Sequence, residues 1–453
     1  MQQERKPSPK PSQSTATAAD QRALALHARY KGKVQILPKC PITRFEDFSV
    51  WYTPGVAAPC LAIKDSPDLV YEHTNKGNLI AIVSNGTRVL GLGNIGPIAG
   101  LPVMEGKALL FKYLGGVDAV PLCIKAATVD DIVRTVEAIS PSFGGINLED
   151  ISQPDCFRAL AAARDRVDIP VWHDDQQGSA TVALGGLLNA LAIVGKRLDA
   201  VRICLVGIGA ANFATYRLVV RAGADPRAII ACDSKGTLHP GRDDISARQD
   251  ALREKWEVCQ HTNGDGVRGG VEAALKGADV CLAFSSSGPG VIKPEWIRGM
   301  RRDAIVFACA NPVPEIWPAD AKAAGARIVA TGRSDMPNQV NNALVFPGMF
   351  RGVLDVRART ISDRMALAAA YALAGAIPHA ELAPDRILPR LDEPHVAADI
   401  AAATGVAAQA EGCARIALSQ DELRARALKA IAEARDATRR LMLEAAPDSA
   451  TAP

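Results

Sequence analysis

The sequence predicts an α/β protein built from two α/β domains and a helical C-terminal segment. Short, β-branched apolar runs alternate with helical patterns along most of the 453 residues. From about residue 200 these runs stand at wide intervals, which is typical of a doubly wound parallel sheet. After residue 346 they stop, and Ala- and Leu-rich helical patterns follow.

Strand patterns separated by a helical pattern define the first domain. Thr128, followed three residues later by Asp131, marks the start of a helix over residues 128–140. Strands that alternate with helices in this way favour a mostly parallel sheet. The expected strands are NLIAIVS at 78–84, VDAVPLCI at 117–124 and IPVWH at 169–173.

The second domain carries further short apolar runs, the first of which ends at a glycine-rich turn. Each run is short enough for a strand and is separated from the next by polar or helical sequence. This pattern predicts a Rossmann-like, doubly wound sheet. The runs are RICLVG, AIIACD, ADVCLAF, AIVFACA and RIVATG.

These patterns divide the chain at residues 176 and 346. The Pro-, Ser- and Gln-rich N-terminus is typical of a disordered segment. Ser419 and Glu422 form a capping-box pattern at the start of the last helix. The expected segments are a disordered tail at 1–20, an N-terminal α/β domain at 21–176, a Rossmann-like domain at 177–346, a helical segment returning to the first domain at 347–445 and a disordered tail at 446–453.

Composition argues against several classes of partner. The 52 basic and 49 acidic residues leave a net charge of +3, so nothing predicts binding to nucleic acid or to a membrane surface. No apolar run reaches the roughly 18 residues of a membrane span, and the N-terminus lacks a signal-peptide core. The ten cysteines are scattered without a CxxC pair, which indicates free thiols in a reducing compartment. We therefore expect a soluble cytoplasmic protein.

The glycine-rich turn of the second domain predicts a dinucleotide site. Gly207 and Gly209 let the backbone approach a pyrophosphate, and the following helix supplies unpaired N–H groups at its N-terminus. Ala210, Ala211 and Asn212 complete the predicted cofactor-binding turn. Asn212 stands where a small residue is expected for close packing of the helix on the strand. An ordinary glycine turn in an α/β protein is the alternative interpretation.

Asp233 ends the next strand pattern, 24 residues after Gly209, where a carboxylate would bind a ribose hydroxyl. Its charge favours NAD, because a 2′-phosphate would meet a like charge. Lys235 could instead neutralise the phosphate of NADP. The sequence therefore leaves both cofactors open and leans towards NAD.

Two pairs of adjacent acids follow strand patterns in the first domain. Glu149 and Asp150 end the stretch FGGINLED, and Asp174 and Asp175 follow IPVWH. The carboxyl ends of parallel strands meet at one edge of a sheet, so these carboxylates can converge. Clustered carboxylates repel one another unless a cation neutralises them, and oxygen ligands favour Mg²⁺ or Mn²⁺. Solvated loop acids or helix N-caps are the alternative interpretation.

Several further segments resemble the malic enzyme family, the oxidative decarboxylases of malate. They stand in the family's order and extend from about residue 38 to residue 445. The resemblance implies that the first domain is catalytic, that the second binds NAD or NADP, and that the protein is a homodimer or homotetramer. The segments are YTPGVA, TRVLGLGNIGP, PVMEGKALLFK, SFGGINLEDI, HDDQQGSA, ACANPVPEI and ATGRSDMPNQVNNALVFPGMFRG.

The resemblance also implies a role for individual side chains. Tyr52 would be the general acid and Lys107 the general base, with Asp174 hydrogen-bonded to the lysine. The implied metal ligands are Glu149, Asp150 and Asp175. The implied substrate- and nicotinamide-binding residues are Arg88, Asn311 and Asn342.

These roles predict oxidative decarboxylation of L-malate to pyruvate and CO2, with reduction of NAD(P)+. A free lysine is protonated at pH 7, so we expect the cation and burial to lower the pKa of Lys107 towards working pH. The metal would act as a Lewis acid on the 2-keto group. Two alternatives stay open: a non-catalytic relative that binds nucleotide or a dicarboxylate, and a decarboxylating dehydrogenase of another 2-hydroxy acid such as tartrate.

Three residues near these motifs need separate interpretation. Asn85 stands where the family is expected to have an acid, and Asn212 departs from the dinucleotide pattern. His173 lies beside the acids, but Mg²⁺ and Mn²⁺ favour oxygen ligands. We therefore expect a structural role for His173.

Overall fold

A computed structural model describes residues 17–444 of the protein. Helix α1, Ala18–Tyr30, begins inside the range predicted to be disordered, so that prediction is wrong for residues 17–20. Thr17 and Asp20 form a reciprocal capping box, in which each side chain accepts the backbone N–H of the other residue. The predicted tail at 446–453 lies outside the described residues, as do residues 1–16.

The first sheet has four parallel strands in the order β2-β1-β3-β4. They are β1 (Leu79–Ser84), β2 (Asp118–Cys123), β3 (Gly145–Leu148) and β4 (Val171–His173). The predicted strands at 78–84, 117–124 and 169–173 are confirmed. Leu148 at the end of β3 is in register with His173 at the end of β4. Glu149 and Asp174 therefore leave the same edge of the sheet side by side.

The second sheet has six strands in the order β10-β9-β8-β5-β6-β7. They are β5 (Ile203–Val206), β6 (Ile229–Asp233), β7 (Gly236–Thr237), β8 (Val280–Ala283), β9 (Ala304–Ala308) and β10 (Ala326–Thr331). The five predicted strands are confirmed and run parallel. The short β7 was not predicted, and it forms an antiparallel hairpin directly after β6.

Helices cover both sheets, and the predicted capping boxes at Thr128 and Ser419 are both present. The helices around the first sheet are α2 (Phe48–Trp51), α3 (Ala57–Asp65), α4 (Val70–His73), α5 (Gly96–Gly115), α6 (Val129–Ile139), α7 (Asp155–Arg166) and α8 (Ser179–Val194). Those of the second sheet are α9 (Ala210–Arg221), α10 (Asp243–Ser246), α11 (Arg253–His261), α12 (Val271–Leu275), α13 (Pro294–Ile297) and α14 (Pro318–Ala323). The C-terminal helices are α15 (Phe346–Asp355), α16 (Asp363–Gly375), α17 (Pro394–Ala410) and α18 (Gln420–Glu444).

The C-terminal helices pack back onto the first unit. Helices α15, α17 and α18 contact α5, and α16 contacts α8. The buried ring of Phe111 on α5 lies 4.5 Å from the ring of Phe346 and 5.2 Å from that of Phe350. This aromatic cluster fixes α15 against the helix that carries Lys107. The domain boundaries at 176 and 346 stay predictions.

Helix α8 joins the first sheet to the second. Within the described residues, the stretch Asp174–Val194 has the length and apolar composition of a membrane span, which the sequence analysis did not expect. The fold buries 72% of that stretch, and α8 packs against α9 and α16. Its Ala and Leu side chains and its closely packed Gly residues therefore lie in the core between the two units.

Candidate active site

Three carboxylates converge at the edge where β3 and β4 end. Glu149, Asp150 and Asp175 each offer one oxygen, and these oxygens lie within 4.8 Å of one another. Glu149 and Asp150 are buried, and the Asp175 side chain is about one-third exposed. The backbone N–H of Asp150 donates to Asp175 Oδ2 at 2.8 Å, which ties the two strand ends together. The two predicted acid pairs are thus brought to one place.

Lys107 reaches this edge from α5. Its Nζ lies 2.6 Å from Glu149 Oε1 and 2.5 Å from Asp174 Oδ2, and all three side chains are almost fully buried. The Lys107 Nζ lies over the Phe346 ring, 4.4 Å from the centroid of that ring. The lysine is therefore held by two carboxylates and one aromatic face.

Burial and the neighbouring carboxylates shift the pKa of Lys107 in opposite directions. Burial lowers the pKa of Lys107, but Asp174, Glu149 and Asp175 outweigh burial, so its pKa lies above the ordinary value. The expectation of a lowered pKa assumed a bound cation and stays a prediction. Burial also raises the pKa of Glu149, although Lys107 opposes the rise. The cluster holds more carboxylates than ammonium groups, and its all-oxygen donor set fits a hard divalent cation.

Neighbouring side chains fix the two acids that hold Lys107. Trp172 Nε1 donates to Asp174 Oδ1 at 3.0 Å, and Asn147 Nδ2 donates to Glu149 Oε2 at 2.8 Å. The sequence analysis missed both donors. Each stands two residues before its acid, on the same face of the strand, and that spacing is a signal that a sequence shows.

The turn after β4 allows Asp174 to fold back over its own backbone. A Cβ built on Gly178 would lie only 1.9 Å from Asp174 Oδ1, so the position requires glycine. Gln177 Oε1 accepts bonds from the Arg164 guanidinium at 3.1 Å and from the His173 backbone N–H at 3.2 Å. His173 is fully buried, and burial lowers its pKa, which keeps the ring neutral. Its structural role stays a prediction.

The predicted substrate-binding residues surround the same edge. The backbone N–H of Arg88 donates to the Asp150 carbonyl at 3.0 Å, and the Arg88 side chain is exposed. Asn311 follows β9, and its carbonyl lies 2.8 Å from a Cβ built on Gly91 in the Arg88 loop. Asn342 Cβ lies 3.1 Å from the position of a Cβ on Gly178. The loop after β9 therefore contacts the Arg88 loop, and Asn342 contacts the turn after β4.

Asn85 belongs to a local turn. Its Oδ1 accepts the Thr87 hydroxyl at 2.7 Å and the Thr87 N–H at 3.3 Å. The Thr87 hydroxyl in turn accepts the N–H of Ser152 at 2.9 Å. Asn85 thus shapes the loop that carries Arg88.

Tyr52 is the predicted catalytic residue that a single chain does not bring to the cluster. It follows α2, and its backbone N–H donates to the Phe48 carbonyl at 2.8 Å. Its side chain is 71% exposed and makes no hydrogen bond within the described part of the chain. A proton donor in this position faces water.

The predicted dinucleotide turn follows β5 directly. Gly207 has φ +81, and a Cβ there would lie 2.8 Å from both the Phe284 carbonyl and Ser285 Cβ. Gly209 caps α9, whose first residues are Ala210 and Ala211. The tight turn and the helix N-terminus expected for pyrophosphate are therefore present.

Asn212 lies beneath this turn. Its side chain is fully buried, and Nδ2 donates to the carbonyls of Val206, Gly207 and Leu282 at 2.7–3.1 Å. The amide points into the protein and ties β5 to β8, so the cofactor-binding role predicted for Asn212 would fall to its backbone and stays a prediction. The larger residue is accommodated by these three hydrogen bonds.

Asp233 ends β6 within a group of cations. Arg242 binds its carboxylate through two nitrogens at 3.0 and 3.1 Å, and Lys255 Nζ lies 3.0 Å away. The N–H of Lys235 donates to it at 2.9 Å. Burial raises the pKa of Asp233, but the bonds from Arg242, Lys235 and Lys255 outweigh it and leave the pKa below its ordinary value. Asp233 is therefore charged at neutral pH.

Fold and site together define a class of protein: a two-unit α/β protein with a cluster of three carboxylates in the first unit and a glycine turn at a helix N-terminus in the second. Residues 31–164 match the family model described as malic enzyme, N-terminal domain, and residues 176–411 match malic enzyme, NAD binding domain. The chain belongs to the malic enzyme family.

Individual relatives agree with this assignment. The chain is 45% identical to a bifunctional malic/malolactic enzyme of Bacillus subtilis, over 88% of this chain and 96% of that one. It is 47% identical to an NAD-dependent malic enzyme of Geobacillus stearothermophilus, over 85% of this chain and 78% of that one. The crystal structure of Entamoeba histolytica malic enzyme superposes with a TM-score of 0.90 at 46% identity, covering 95% of this chain and 92% of that one.

The substitution Lys107→Met tests how much the buried ion pairs stabilise the protein. We expect a loss of about 3–5 kcal/mol in the free energy of unfolding, because Glu149 and Asp174 would stay buried without a counter-charge. Adding Asp174→Asn should recover part of the loss, since one uncompensated charge disappears. Urea unfolding in the presence of a chelator measures both effects. Equal stability of Lys107→Met and the unaltered protein would contradict this account of the site.

Proposed function

We propose that the site catalyses the oxidative decarboxylation of L-malate to pyruvate and CO2, with reduction of NAD(P)+. The observation that carries this proposal is the position of Lys107, held between Asp174 and a carboxylate of the cation site. A base in this position can take the proton of a hydroxyl group that is bound at the cation site. The glycine turn of the second unit would bind NAD(P)+, which is the hydride acceptor.

The side chains around the cluster divide the chemistry among them. Lys107 accepts the proton of the C2 hydroxyl as hydride leaves C2, and Asp174 keeps the amine in place. Arg88 presents an exposed guanidinium that suits a substrate carboxylate. Asn311 and Asn342 contact substrate and nicotinamide from the opposite side. After CO2 leaves, Tyr52 protonates C3 of the enolate, and Lys107 returns the proton to Tyr52.

Glu149, Asp150 and Asp175 would hold Mg²⁺ or Mn²⁺. When bound there, the cation would polarise the hydroxyl and carbonyl oxygens of the substrate and compete with Lys107 for Glu149. Weaker pairing with Glu149 lowers the pKa of Lys107, which the carboxylates otherwise raise. The three acids would thus bind the metal ion and also set the pKa of Lys107.

The alternatives are less consistent with the site. A non-catalytic relative would have little reason to keep a buried lysine between two carboxylates, since the arrangement is costly. A decarboxylating dehydrogenase of another 2-hydroxy acid, such as tartrate, would use the same groups. The family and the names of the relatives favour malate. We further propose a cytoplasmic location, because the described cysteines are free thiols.

An assay with L-malate, Mn²⁺ and NAD+ or NADP+ tests the proposed reaction. We expect reduced nicotinamide, pyruvate and CO2 in equal amounts, and loss of activity when a chelator removes the metal. Asp175→Asn should weaken Mn²⁺ binding at least about tenfold, measured from free Mn²⁺ by electron paramagnetic resonance. Asp130→Asn, an exposed acid on α6, is the control and should bind Mn²⁺ normally. Activity with tartrate but not malate, or with neither, would refute the assignment.

We propose NAD+ as the preferred cofactor, although relatives named for either cofactor match the chain. Asp233 is charged at the end of β6, where it would accept ribose hydroxyls and repel a 2′-phosphate. Arg242 now binds both of its oxygens and Lys255 binds one of them, and the flexible Lys255 side chain can give way to a hydroxyl.

Asp233→Ser should lower kcat/KM for NAD+ about tenfold relative to NADP+, because the ribose loses a charged acceptor. Initial rates with each cofactor measure the ratio. Lys235→Ala is the matched variant two residues away, and we expect it to leave the ratio unchanged. A selective loss of NADP+ activity in Lys235→Ala would instead favour NADP+.

We propose that the protein is a homo-oligomer built from homodimers. Helices α1, α2, α3 and α4 have no buried residues, and their segment exposes many large apolar side chains. Helix α5, the helix of Lys107, also exposes large apolar side chains, and we propose that together they form one face. Monomers rarely expose apolar patches of more than a few hundred Å². The face consists of Ile36, Leu37, Phe45, Phe48, Val50, Trp51, Ile98, Leu101 and Leu109.

Pairing through this face would also remove Tyr52 from water. Tyr52 follows Trp51 within the apolar segment, whereas α5 borders the Lys107 cluster. In the twofold dimer that we propose, the segment of each chain lies on α5 of the other. We therefore propose that Tyr52 acts in the active site of the partner chain.

Mixed dimers test this exchange. Tyr52→Phe and Lys107→Arg should each abolish most activity, because one lacks the proton donor and the other keeps the charge but loses the base. In a mixed dimer, one of the two sites would combine Lys107 with Tyr52 of the other chain. Co-refolding equal amounts should restore about a quarter of the unaltered activity. Absence of any recovery in proven mixed dimers would show that each chain uses its own tyrosine.

A further inference from the structure

Glu315 is a buried carboxylate that the proposed chemistry does not use. Its side chain is 0% exposed, and no Lys, Arg or His forms an ion pair with it within residues 17–444. Oε1 accepts the N–H of Ser285 at 2.8 Å and its hydroxyl at 3.0 Å, and Oε2 accepts the N–H of Ala310 at 3.0 Å. Three hydrogen bonds to a buried carboxylate that pairs with no cation within the described residues indicate that its position is fixed.

These bonds join two loops at the carboxyl edge of the second sheet. Ser285 belongs to the loop after β8, and Ala310 belongs to the loop after β9. The backbone carbonyl of Glu315 also accepts the N–H groups of Gly290 and Ile292, both at 3.2 Å. Glu315 thus holds both ends of the β8 loop against the β9 loop.

The two loops form one side of the dinucleotide crevice. Strands β8 and β9 lie on one side of β5, and β6 with Asp233 lies on the other. Ser285 packs directly on the glycine turn, because a Cβ on Gly207 would lie 2.8 Å from Ser285 Cβ. If Asp233 binds the adenosine ribose, the β8 and β9 loops face the other half of the cofactor.

We propose that Glu315 is a positioning residue for the nicotinamide half of the cofactor. Its carboxylate locks the two loops together and sets the position of Asn311, which follows Ala310 directly. The inference rests on the proposed dinucleotide-dependent function. A glutamine could not replace it, because the amide group would face the backbone N–H of Ser285 or Ala310. One of these donors would then be buried without an acceptor.

Binding of two probes to Glu315→Gln tests the inference: NADH, which carries both halves, and AMP, which carries the adenosine half alone. We expect the Kd of NADH to rise about tenfold and that of AMP to change less than about twofold, since only the β8–β9 side loosens. Fluorescence titration measures NADH, and nuclear magnetic resonance titration measures AMP.

Asp279→Asn is the matched control, because Asp279 is a buried carboxylate at the opposite end of β8. It accepts the N–H of Arg202 at 2.9 Å and pairs with Lys196 and Arg301. We expect this variant to unfold more easily and to bind both probes normally. Loss of stability is thereby separated from loss of positioning.

Three results would overturn the inference. They are an unchanged NADH Kd in folded Glu315→Gln, an equal rise for NADH and AMP, and the same NADH defect in Asp279→Asn. If Glu315→Gln does not fold, Ser285→Ala removes only the hydroxyl bond, and a rise of about threefold for NADH alone is expected. Failure of the unaltered protein to bind either NADH or NADPH would refute the proposed function itself, which is a different outcome.

Discussion

The buried ion pairs of Lys107 with Glu149 and Asp174 are the interaction on which the site depends. The ammonium comes from α5, whereas the carboxylates come from the ends of β3 and β4. Each charge would be costly if it were buried alone, so the three groups hold helix and strands in one arrangement. The same arrangement leaves an excess of carboxylate, which a bound cation would offset in the proposed mechanism.

Helix packing then relates this cluster to the dinucleotide turn. Helix α8 begins directly after the turn Asp174–Gly178 and packs against α9, which Gly209 caps. The separation between the acid cluster and the glycine turn is therefore set by contact between two neighbouring helices. Loops from both units line the crevice. Asn212 and Glu315 stabilise these loops from within the protein: Asn212 donates to the carbonyls of Gly207 and Leu282, and Glu315 accepts the N–H of Ala310.

Local patterns explain why much of the fold could be predicted. Short β-branched runs predicted most strands, and Thr128 and Ser419 predicted helix starts, because both signals depend on residues close in sequence. The capping box at Thr17 obeys the same rule but lay in a segment whose composition suggested disorder. The short β7 was missed because its two residues carry no periodicity.

The sequence by itself determined the types of element, the family and the chemical nature of each candidate side chain. Only the tertiary structure decided that Lys107 lies between Glu149 and Asp174, which are 42 and 67 residues away along the chain. It also decided that Asn212 points inward, that Tyr52 faces outward, and that the carboxylates raise the pKa of Lys107. The physical reason is that burial and electrostatic pairing depend on distances between remote segments, which only packing fixes.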